Sequence, residues 1–66
     1  MIYRMYIVKK LYELRGKYEG DPAKRALIDS LISQLVAART GWAFCMALES
    51  LREGASAIPE LKDLGF

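Results

Sequence analysis

Apolar residues recur along the first part of the chain at helical intervals. Tyr3, Ile7, Leu11, Leu14 and Tyr18 follow one another at spacings of four, four, three and four. That rhythm places them on a single stripe of a helix spanning about residues 2–19. Lys9, Glu13 and Lys17 fall on the other side at i,i+4 spacing, which suits ion pairing. Met5, Val8 and Tyr12 form a second apolar group on a neighbouring face. A strand over Ile2–Val8 competes with this reading, because those residues are β-branched or aromatic. It would need a pairing strand, and no other segment reads as one.

Gly20-Asp21-Pro22 punctuates the pattern. Asp21 suits an N-cap, where its carboxylate accepts the free amide hydrogens of a first turn. Pro22 suits the first helical position, where its missing N–H costs nothing. So short a connection predicts an antiparallel helical hairpin.

The second stripe is Ile28, Leu31, Leu35, Ala38, Trp42 and Cys45, with Leu27 and Ile32 widening it. Its alternating three-four spacing is heptad-like and keeps phase through Gly41. A mid-helix glycine costs about 1 kcal/mol relative to alanine, which a packed stripe offsets. One long helix over about 22–53, bent near Gly41, is therefore expected. The alternative is a break at Thr40-Gly41, with Thr40 as a second N-cap. Beyond Gly41 the seam ends at Glu49, and a different row, Phe44, Leu48 and Leu51, appears on nearly the opposite side. Between Trp42 and Leu51 the helix is apolar almost all round, which implies burial on more than one side. Gly54 stops the helix. Pro59 then opens a short helical tail whose apolar face is Ile58, Leu61, Leu64 and Phe66.

Length turns this pattern into an expectation about assembly. A helix of about 18 residues spans roughly 27 Å and one of about 32 residues roughly 48 Å. The first cannot cover the end of the second, and a twelve-residue tail masks one side of it at most. A second chain is the simpler cover. The expected fold is all-α: a hairpin plus a helical tail in one domain (1–66), assembled as an oligomeric bundle, a homodimer above other orders. The expected partner surface is Trp42, Phe44, Cys45, Met46, Leu48 and Leu51, since aromatic and methionine side chains dominate interface cores.

Composition points the same way. A chain of 66 residues hides only about 60% of the surface its unfolded form exposes. Small scaffolds offset that with disulfides, metals or association. The single cysteine, Cys45, excludes an internal disulfide, and with no histidine one thiolate cannot build a four-ligand zinc site. No metal or cofactor is expected. Cys45, between Phe44 and Met46, reads as a small buried hydrophobe rather than a reactive thiol. A lone cysteine fits a reducing, cytoplasmic setting. Arg4 interrupts the apolar start, so no secretory signal is expected. The weakly polar run Leu31–Leu48 contains Arg39 and Gly41, so a membrane span is not expected either.

Charge adds an alternative function. Seven cations against three anions fall in residues 1–25, whereas residues 26–66 hold three against five. A nucleic-acid-binding protein would use the basic first third, with Lys9, Lys10, Lys17, Lys24 and Arg25 on phosphates. Stacking by Tyr3, Tyr6, Tyr12 and Tyr18 would fit it, although tyrosines more commonly sit at the edge of a core. Ala37 and Gly41 echo a helix-turn-helix unit. The echo fails at Ser50, where an apolar residue belongs, and Trp42–Leu48 offers nothing to hydrogen-bond a base edge. Catalysis finds little support, because the commonest general base is missing and no phosphate-loop spacing is present. Glu49 and Glu53 read as a solvated helix face. The function expected is a non-catalytic interaction module, a small regulator or adaptor, working on itself or on a protein partner.

Overall fold

The computed structural model of the chain describes residues 2–64. Every regular element in that range is helical: α1 (Ile2–Lys17), α2 (Pro22–Ala37), α3 (Gly41–Gly54) and a 3-10 tail helix (Pro59–Leu64). The three α-helices pack on one another, with α2 between α1 and α3, and the tail helix against α3. Phe66, expected on the apolar face of the tail, lies outside the described residues.

The first two elements follow the local signals. Ile7 and Leu11 of the α1 stripe are fully buried, and Leu14 and Tyr18 pack against the core. Past Lys17 the chain turns over the Tyr18 carbonyl, which accepts from the Asp21 amide at 2.9 Å. Asp21 then caps α2, its Oδ1 accepting from Lys24 N at 3.3 Å, with Pro22 in the first turn. Ile28, Leu31 and Leu35 are all but completely buried.

The expected continuous helix over 22–53 is not what forms. Helix α2 ends at Ala37, Ala38 turns extended (ψ 112°), and Thr40 caps a new helix. Thr40 Oγ1 accepts from Ala43 N at 3.0 Å. Heptad phase gave no warning of the break, because the three-four spacing of Ala38, Trp42 and Cys45 continues in the sequence although Trp42 and Cys45 end up exposed. Two local interactions lower its cost. One is the Thr40 cap, worth about 1 kcal/mol in general. The other is Arg4, whose guanidinium donates to the Leu35 carbonyl (3.4 Å) and to the Ala38 carbonyl. Those carbonyls belong to the helix end, where a break removes the usual i+4 amide partners, and the Leu35 carbonyl also accepts from the Ala38 amide at 3.4 Å.

The larger return is burial. Breaking the chain lets α3 fold back, so Ala47, Leu51 and Ala55 join the same core as Ile7 and Ile28. Ile58, Leu61 and Leu64 of the tail join it as well. A straight 32-residue helix would run about 48 Å, but the molecule measures 33 × 18 × 17 Å. Its accessible surface is 4387 Å², against about 4,250 Å² expected for a folded monomer of this mass. Much of the apolar length expected to need a second chain is thus covered within one, while Trp42 and Met46 stay exposed.

The tail is tied down at both ends. Tyr3 Oη donates to the Leu64 carbonyl at 2.9 Å. Tyr18 Oη donates to the Glu60 carboxylate at 2.8 Å, and Lys17 Nζ pairs with the same group. Gly54 sits where the tail crosses α3. A Cβ there would stand 3.2 Å from Leu61 Cδ1, 3.6 Å from Leu27 Cδ2 and 3.7 Å from Leu31 Cδ1. The residue that ends α3 is also the one that lets the tail close over it.

Candidate functional site

Three sides of α3 have different surroundings. Ala47 and Leu51 face the core, Phe44 and Leu48 pack half-buried against it, and Trp42, Cys45, Met46, Glu49 and Glu53 are exposed. The exposed set lies at spacings of three, one, three and four, a single outward stripe of the helix. Trp42 is 75% exposed and Met46 49%. Cys45, expected as a small buried hydrophobe, is instead a free thiol at the surface, because the break at Ala38 turns its side of α3 outward.

This arrangement divides the six residues expected to form the partner surface. Leu51 does not belong to it, because it is fully buried among the chain's own side chains. Phe44 and Leu48 are committed largely to the internal core, so a charge at either would disturb folding before association. Trp42, Cys45 and Met46 remain available. Mistaking the row came from treating Trp42 and Cys45 as the continuation of the α2 stripe. Once the chain breaks at Ala38, that side of α3 turns outward and the opposite row turns in.

The stripe changes character along its length. Its first half is apolar, and Glu49 and Glu53 form its second half. Glu49 pairs with Arg52 at 3.4 Å on the surface, so it belongs to no buried carboxylate site. Gly41, the turn glycine of the helix-turn-helix echo, is instead the first residue of α3.

The basic first third is partly neutralised by the fold. Lys17 pairs with Glu60, Lys10 with Glu13 (3.7 Å) and Lys24 with Asp21 (4.0 Å). Lys17 and Lys24 also lie over the Tyr18 ring, 5.5 and 5.1 Å from its centre. Arg15 Nε stands 2.6 Å from Asp29 Oδ1, an ion pair whose N–H has no hydrogen-bond partner. Lys9 and Arg25 enter no ion pair among the described residues. Of the four tyrosines, Tyr3 and Tyr18 hold the tail, and Tyr6 and Tyr12 are exposed.

A groove of about 370 Å³ runs between α1 and the tail helix, with Tyr6 and Leu14 along it and Lys10, Lys17, Glu60 and Asp63 at its rim. Its chemistry is set by Glu60. Hydrogen bonds from Lys17 and then Tyr18 hold that carboxyl down at about 2, and the same contacts raise the pKa values of Lys17 and Tyr18. A carboxylate that acidic is a poor proton acceptor near neutral pH. The groove's charges act as a clamp for the tail. Among the described residues, no three His, Cys, Asp or Glu side chains gather where a metal ion could be held. No described helix is long and apolar enough to cross a membrane.

No protein-family model, curated protein or solved structure matches this chain.

Proposed function

We propose that the protein is a non-catalytic interaction module, a small regulator or adaptor that self-associates, as a dimer above other orders, through the outward face of α3. Helices α1 and α2 serve as its support. Reading them as an antiparallel hairpin rests on Arg4 reaching the end of α2 and Arg15 reaching Asp29.

The exposure of Trp42 carries the reading. A tryptophan left three-quarters in water, beside Met46 on the same stripe, is the residue type that dominates interface hot spots. The core closes over Ile7, Ile28, Leu35 and Leu51 without it. The stripe is narrow, so the association is of the weak, concentration-driven class.

Trp42 is the only tryptophan, so its fluorescence reports on this face alone. Sedimentation of the full chain over a wide concentration range should show a rising mass, with a parallel blue shift of emission. Trp42→Ala should abolish the rise and leave the urea midpoint of the dilute protein unchanged. A mass that stays monomeric into the millimolar range overturns the proposal.

A further inference from the structure

The outward stripe of α3 is polarised, and its polarity selects one way of pairing. At its start stand exposed Arg39, just before the Thr40 cap, and the first turn of α3, the positive end of a helix. Trp42 and Met46 follow one turn apart. Glu49 and Glu53 close it, both exposed, and with Arg52 beside Glu49 at 3.4 Å that end keeps a net negative charge. Parallel pairing of two such stripes sets acid against acid and cation against cation. Antiparallel pairing sets each acidic end against the other copy's positive end.

Apolar overlap then fixes the register. Sliding two antiparallel copies until Trp42 meets Met46 gives two identical aromatic–methionine pairs, a favourable arrangement for a polarisable sulfur. The same register brings Glu49 to the start of the facing α3, where Arg39 stands just before the Thr40 cap. A slide of about one turn one way sets Trp42 against Glu49 and Ser50. A slide the other way sets Trp42 on its own copy and leaves Met46 beyond the end of the facing helix. Two-fold symmetry requires that each pairing occur twice.

We infer that two copies of this chain pair α3 against α3 in antiparallel fashion about a two-fold axis at the level of Phe44, with Trp42 of each on Met46 of the other and Arg39 of each beside Glu49 of the other. The inference rests on the proposed self-association through this face and adds its direction and register. The exposed area is modest. A well-buried aromatic hides roughly 150–250 Å², and a durable interface needs about 800 Å² per partner. The pair is therefore transient, and its electrostatics weigh heavily in its orientation.

The test is a charge reversal read by sedimentation equilibrium of the full-length chain. Arg39→Glu and Glu49→Lys should each raise the dimer dissociation constant about five- to tenfold, because symmetry turns two exposed ion pairs per dimer into like-charge pairs. The double variant should return to within about twofold of the starting protein, because each pair is then re-formed with its signs exchanged. Both residues are exposed, and circular dichroism of each variant checks that helix content is retained. The native thiol gives a second readout. In this register the two Cys45 residues differ by about 3 Å along the axes, with axes about 8–10 Å apart. A short bismaleimide should then link two copies through Cys45. If the unmodified chain never dimerises, the self-association reading and this inference fall together. If it dimerises but the single variants are unchanged, or the double is not restored, self-association stands and the antiparallel register is overturned.

Discussion

Leu51 separates an internal core from an external interface. Its side chain is fully buried, in one cluster with Ala47, Ile58 and Leu61. Leu51→Ala removes three carbons, worth about 0.8 kcal/mol each in transfer energy, or roughly 2.4 kcal/mol. The cavity left behind adds to that, and buried Leu→Ala changes generally cost about 2–5 kcal/mol. A domain of this size is stable by only about 3–10 kcal/mol, so the variant should lose a large part of its stability. Urea unfolding followed by far-ultraviolet circular dichroism measures the loss. The decisive feature is its concentration dependence. A core residue lowers the midpoint equally in dilute and concentrated protein, because folding of one chain is unimolecular. An interface residue costs stability that depends on concentration. A loss below about 1 kcal/mol, outside the range for a filled core site, would refute the internal packing of α3. So would a loss, relative to the starting protein, that changes with dilution.

Arg4→Met keeps much of the side chain's length but removes the donors that reach the Leu35 and Ala38 carbonyls. It should cost about 1–3 kcal/mol, with faster amide exchange confined to the end of α2 and the turn into α3. Glu60 gives a pH dependence of defined sign. Its folded pKa of about 2 lies below the ordinary 4.5, so its contribution is complete above about pH 4.5 and disappears as pH falls through 2. Amide protection of residues 58–64 should follow that acid window and lose the dependence in Glu60→Gln; protection unchanged between pH 5 and pH 2 would rule out the clamp. A short duplex should show no retention at ~50 mM salt, since Lys10, Lys17 and Lys24 are already paired with carboxylates. Tight, salt-sensitive binding there would instead favour the nucleic-acid reading.

Local chemistry was legible in the sequence wherever neighbouring residues decide the outcome. The cap at Asp21 with Pro22 behind it, the end of α3 at Gly54 and the turn opening at Pro59 each depend on interactions within a few residues. The buried stripe of Ile7, Leu11, Ile28, Leu31 and Leu35 was equally readable, because burying one face of a helix leaves a periodic trace. Thr40 was visible as a cap but not as the winner. A cap of about 1 kcal/mol competes closely with continued helix, and the sequence spacing runs on through Gly41 whether or not the same face stays buried.

Only the tertiary structure decided that contest, through pairings distant in sequence. Leu61, Leu27 and Leu31 converge on Gly54, and Arg4 reaches across to the end of α2. Tyr3 and Tyr18 hold the tail. None of these pairings has a spacing that a linear pattern can express. They also decided which side of α3 faces outward, turning Leu51 into core and leaving Trp42, Cys45 and Met46 at the surface. An apolar helix records in its sequence how much surface it can bury, whereas the partner that buries each side is chosen by the folded chain as a whole.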